Sequence, residues 1–94
     1  MISAEEAKEN RIVNSIIASE EIQATVIEKA QTIANGPFYA NKLMKSIINN
    51  ADQMTLEEVL NQEQFAQTIL QQTEDHQEGV MAFRNKQKPI FKGK

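Results

Sequence analysis

Apolar residues along this chain recur every three or four positions, the period of one helix face. Ile22, Val26, Ile27, Ala30, Ile33 and Ala34 mark a first stripe, and Leu43, Met44, Ile47, Ile48 and Ala51 a second, with Phe38 near its start. Leu56, Val59, Leu60, Ala66, Ile69 and Leu70 mark a third. Glu63 interrupts the third stripe and Phe65 lies partly off it, which predicts a helix buried on more than one side. Polar residues set the breaks. Ser19, Glu20 and Glu21 are placed to cap the first long helix and to put negative charge at its positive end. Asn35-Gly36-Pro37 ends it, with Gly36 expected in a left-handed position and Pro37 in the first turn of the next helix. Thr55 and Glu58 have the spacing of a capping box that opens the third.

Two shorter helices flank these. Ser3 and Glu6 form another capping-box pattern, predicting a helix to about Glu9. Thr73-Glu74-Asp75 opens a last helix with Val80, Met81 and Phe83 on its apolar side, and Pro89 bars its continuation. Residues 11–17 differ, because Ile12, Val13, Ile16 and Ile17 are β-branched and show no helical stripe. A short extended segment is expected there, with no partner strand elsewhere in the chain. The expected fold is all-α: three main helices plus short terminal ones. Residues 1–17 hold the short helix and the extended segment, and residues 18–94 the helical domain with a basic tail at 83–94.

Ninety-four residues allow one small domain with a modest core. With no Cys or Trp, that core must be mostly aliphatic and unstapled. No apolar run approaches the ~20 residues that span a bilayer, and the first residues lack the features of a secretory leader. The expectation is a cytoplasmic protein that makes no membrane contact. The net charge of −3 conceals an asymmetry: residues 1–82 carry −8 and residues 83–94 carry +5. The basic end reads either as an anion contact or as a solvated, frayed terminus, and charge alone favours the second.

Self-sufficient chemistry is missing. His76 is the sole histidine and there is no cysteine to join it at metal-ligand spacing, so no metal site is expected. The pairs Glu5/Glu6, Glu20/Glu21 and Glu57/Glu58 lie at helix starts, where capping and the dipole account for them. General acid–base work needs a desolvated cleft that adjacent exposed carboxylates do not supply. Three glycines, at 36, 79 and 93, build no phosphate-cradling loop. No catalytic residue is assigned to this chain. Nucleic acid is a poor partner for so acidic a body, and five basic residues on a tail make a poor footprint.

The run from Thr73 to Gly93 closely resembles the C-terminal ending of the enoyl-CoA hydratase/isomerase (crotonase) family, roughly T-E-D-x-x-E-G-x-x-A-F-x-E-K-R-x-P-x-F-x-G. It matches at Thr73, Glu74, Asp75, Glu78, Gly79, Ala82, Phe83, Lys86, Pro89, Phe91 and Gly93. Asn85 and Gln87 depart from it. Upstream, Ile2-Ser3-Ala4-Glu5-Glu6-Ala7 with Ile12-Val13-Asn14 resembles the family's I-S-A-E-E-A…G-L-V-N segment, with Asn10 for its glycine. Gly36-Pro37 with Lys42 fits its A-x-x-G-P helix. The matches run in order through nearly the whole chain.

The resemblance implies the closing helical region of an acyl-CoA enzyme without its ββα spiral core, whether cut out deliberately or made from an internal start. The oxyanion-hole amides and catalytic glutamates belong to that core, so this chain alone is expected to be inactive and to need no cofactor. The parent would act on a coenzyme A thioester in fatty acid metabolism, with hydration of a 2-enoyl-CoA preferred over double-bond isomerisation. This part would supply contacts in a homo-oligomer and part of the coenzyme A pocket. Carried over by motif, the pocket residues are Phe83, whose face suits adenine, and Lys86, whose ammonium suits the 3′-phosphate. Phe83 reads equally as a core anchor three residues from Val80. The alternative to a piece of an enzyme is a free-standing helical protein that self-associates or docks on a partner.

Overall fold

The computed structural model describes all 94 residues, and its regular secondary structure is all helical, with no strand. The helices are α1 (Ala4–Glu9), α2 (Ile22–Ala34), α3 (Phe38–Asn50), α4 (Leu56–Leu70) and α5 (Glu74–Arg84), with a 3₁₀ turn at Ala51–Gln53. They form two compact units, residues 1–31 and residues 32–94.

In the first unit α1 starts where Ser3 and Glu6 place it. The Ser3 hydroxyl accepts the Glu6 N–H at 3.1 Å, and the Glu6 carboxylate accepts the Ser3 N–H at 2.8 Å. Two of the helix's orphan donors are thereby satisfied. After Asn10 the chain turns sharply. Arg11 takes φ 57°, its N–H meets Lys8 O at 3.0 Å, and the Ile12 N–H meets Ala7 O at 2.8 Å. These two bonds are the Schellman closure of a helix. The extended segment expected from Arg11 is therefore a turn and bend over residues 10–14, followed by irregular chain. β-branching favours a strand only where a neighbouring strand supplies a ladder, and none is present. The loop meets α2 through Lys29, whose Nζ donates to Ser15 Oγ at 3.2 Å. Ser19–Glu21 form the turn before α2, closed by Glu21 N–H to Ala18 O at 3.0 Å. Glu20 and Glu21 thus precede the helix instead of occupying its first turn.

In the second unit Gly36 does not adopt the left-handed conformation expected of it. Its need for glycine is one of space: an added Cβ would lie 3.1 Å from Ile33 O and 3.4 Å from the Asn41 amide nitrogen. Pro37 is the N-cap of α3. α3 and α4 pack against each other, and α4 opens on its predicted box: Thr55 Oγ1 accepts from Glu58 N, and Glu58 Oε2 accepts from Thr55 N at 2.8 Å.

Burial departs from the amphipathic expectation. Ala82 is the buried apolar residue and Asp75 the buried polar one; no large side chain is fully buried. Leu43, Ile47, Ala66 and Leu70 are half-buried where α3 meets α4, and Ala51 and Val59 are half-buried as well. The remaining stripe residues stay open, with Ile33 68% exposed, Ile48 64% and Leu60 54%. Phe65, at 73%, shows that α4 is not buried on several sides. An open apolar groove of about 670 Å³ between α3 and α4 is lined by Leu43, Ile47, Leu60 and Leu70, among others.

Candidate functional site

The two residues singled out by motif stand at the end of α5. Thr73 starts that helix: its hydroxyl accepts the His76 N–H at 3.1 Å and donates to Leu70 O at 2.6 Å. The helix closes like α1. Asn85 is the C-cap and Lys86 takes φ 53°. The Lys86 N–H reaches Phe83 O at 3.2 Å, and the Gln87 N–H reaches Ala82 O at 2.8 Å. Glycine usually fills this left-handed position, because a Cβ there costs roughly 1–2 kcal/mol. Here a lysine holds it.

Phe83 is 85% exposed, so within this chain it is no core anchor. It borders a shallow depression shared with His76, Gly79, Val80, Arg84 and Phe91. Lys86 is exposed and stands beyond that lining, on the turn that reverses the chain. The structure therefore brings Phe83 and Lys86 to one helix end but not into one pocket. An aromatic face open to solvent beside a cation on a turn can stack a planar base and meet a phosphate.

Residues 87–94 have no regular secondary structure, yet they are tied down and run back along α5. The Ile90 N–H donates to Glu78 Oε1 at 3.0 Å. Lys92 N–H donates to Asp75 Oδ1 at 2.7 Å, and Gly93 N–H to Asp75 Oδ2 at 2.8 Å. The Asp75 N–H in turn donates to Lys94 O at 2.8 Å. Phe91 lies over Gly79, where an added Cβ would be 3.6 Å from its ring, and Gly93 takes φ 78°. The frayed terminus that composition favoured is thus a docked strap. Asp75 is only 6% exposed, and both of its oxygens are gripped by successive main-chain amides.

Sequence reasoning gave Asp75 and Glu78 no role beyond capping and motif matching. Their partners are backbone N–H groups, which any sequence supplies. The one available sign was the recurrence of T-E-D-x-x-E-G together with P-x-F-x-G in one pattern, whose two ends here bind each other. No group of three acidic, His or Cys side chains is placed to hold a metal ion. No helix is long and apolar enough to cross a membrane.

An all-helical unit closed by a strap that docks back on its last helix defines the class of fold. The enoyl-CoA hydratase/isomerase family model matches residues 1–94, and the chain belongs to that family. It is 33% identical over 93 residues to the 1,2-epoxyphenylacetyl-CoA isomerase of Escherichia coli K12, covering 99% of this chain and 36% of that protein. It is 29% identical over 93 residues to the 2,3-dehydroadipyl-CoA hydratase of the same strain, with the same coverage. The crystal structure of an enoyl-CoA hydratase from Bacillus anthracis superposes with a TM-score of 0.90 at 35% identity, over 99% of this chain and 36% of that one. The chain thus spans about a third of the length of the relatives it matches.

Proposed function

We propose that this chain is the C-terminal helical part of an acyl-CoA enzyme, supplying subunit contacts and part of the coenzyme A pocket. The observation that carries this reading is the exposure of its apolar stripes. Family membership over residues 1–94 comes with helices whose apolar faces stay open, and Ala82 is the one buried apolar residue. Such faces fit elements made to cover something larger. In this reading residues 1–17 form the edge towards a catalytic core and residues 18–94 the helical domain. Phe83 packs on the adenine, and Lys86 meets the 3′-phosphate of the thioester's nucleotide. Carboxylates of the core move protons while its oxyanion-hole amides steady the enolate. Hydration of a 2-enoyl-CoA is the preferred parent reaction, carried out in the cytoplasm by a homo-oligomer.

Coenzyme A titrated into the 94-residue chain, followed by amide NMR, tests the site. Shifts confined to the end of α5, with Phe83 and Lys86 foremost, are expected. Crotonyl-CoA should show no hydration above the buffer rate, because the groups that would do it are assigned elsewhere. Self-association without any response to coenzyme A would support the second reading, a free-standing helical interaction protein, which the same exposed stripes favour.

A further inference from the structure

We propose that Asp75 is a positioning residue: through the strap of residues 87–94 it holds the turn that presents Phe83 and Lys86. Its bearing on coenzyme A rests on the reading above, whereas the coupling of strap to turn does not.

Lys86, a non-glycine residue at φ 53°, is held against its own preference; the two closing bonds hold it, as they hold Arg11, and any further support adds to them. The further support visible here is the chain that follows. Left-handed backbone at Lys86 reverses the direction of the chain, and only a reversed chain can lay its amides along α5. The contacts follow in that order: Gln87 N–H to Ala82 O, Ile90 N–H to Glu78, then Lys92 and Gly93 N–H to Asp75. Docking and the left-handed turn therefore favour one another, as two halves of one equilibrium.

Asp75 is the strongest tie in that series. It is the buried polar residue of the chain, and a carboxylate accepting two N–H bonds makes charge-assisted contacts stronger than neutral ones. Its own N–H, an orphan donor in the first turn of α5, is satisfied by Lys94 O. Release of the strap would exchange these charge-assisted bonds for bonds to water, a net loss of stability that resists release. The strap also supplies Phe91, which shares the depression with Phe83. One carboxylate at the start of α5 thus governs both the turn at its end and the ring beside Phe83.

Hydrogen exchange and backbone chemical shifts of the 94-residue chain test this without ligand. Asp75→Ala should raise exchange at Lys92 and Gly93 by about tenfold or more, the expected loss for two charge-assisted bonds. It should also move the Lys86 backbone shifts away from their positive-φ values. Because Asp75 lies in the first turn of α5, Gly93→Ala serves as a second variant: it strains the strap at φ 78° and leaves α5 untouched. Protected Met81 and Ala82 amides confirm that α5 is still formed. A strap that stays protected in Asp75→Ala overturns the latch. A strap released in either variant with Lys86 still left-handed overturns the coupling. Coenzyme A added to wild type then separates the two claims. No response at Phe83 or Lys86 removes the site but not the latch, and a response that is equal in Asp75→Ala removes the positioning role.

Discussion

Replacing Lys86 with glycine should strengthen the end of α5 while removing the group assigned to phosphate. The left-handed conformation costs an L-residue roughly 1–2 kcal/mol, and glycine escapes that penalty. Against this, glycine loses more backbone freedom on ordering, about 0.5–1 kcal/mol. The expected net gain is about 1 kcal/mol, which is about fivefold in a local opening equilibrium at 25 °C. Local exchange is the right assay, because a chain with Ala82 as its buried apolar residue gives no warrant for all-or-none unfolding. The Asn85 and Gln87 amides, which bond to Met81 O and Ala82 O, should exchange about fivefold more slowly in Lys86→Gly. Arg11→Gly is the internal comparison, since Arg11 occupies the same position after α1 with φ 57°. It should slow the Ile12 amide in the same way. Faster exchange in both variants would refute the claim that these turns are conformationally unfavourable. The same Lys86→Gly chain should lose coenzyme A affinity by roughly tenfold or more, the worth of one charge-assisted hydrogen bond.

Gly79 lies within α5 at ordinary van der Waals distance from Phe91, so Gly79→Ala should stabilise the helix by about 0.5–1 kcal/mol. Helicity by far-UV circular dichroism, with exchange at Val80–Phe83, reads this, and a loss of helix would show that the ring cannot accept a methyl. Thr55→Ala removes the acceptor for the Glu58 N–H and should destabilise α4 by about 1 kcal/mol, seen as faster exchange in its first turn alone. The exposed stripes should drive self-association detectable by sedimentation velocity. Replacing Ile48 and Leu60, both open to solvent, with glutamate should shift the chain towards monomer; an unchanged distribution would place the contact elsewhere.

The element order was legible because helix starts depend on short-range chemistry. Ser3 with Glu6 and Thr55 with Glu58 close the boxes their spacing predicts, and Thr73 caps α5 as read. Failures arose where local preference met a missing or unexpected partner. Residues 11–17 have strand-like composition, but composition cannot provide the second strand. At Gly36 space decides and φ does not: close approach of Ile33 O is what excludes a side chain. The two left-handed positions that do close helices belong to Arg11 and Lys86, residues with no preference for them. Periodicity told which side of each helix is apolar and could not tell whether anything covers it. Motif matching singled out Phe83 and Lys86 as candidates, while the contacts of Asp75 stayed hidden because backbone amides leave no mark in a sequence.

The near-empty interior has a consequence for how this chain's stability should be thought of. A protein that buries its own apolar residues carries its folding free energy with it at any dilution. Here Ile33, Ile48 and Leu60 contribute little until another surface meets them. Where that surface belongs to a second copy or a partner, mass action makes the melting temperature a function of concentration and of company. A dissociation constant describes such a chain better than a single free energy of unfolding.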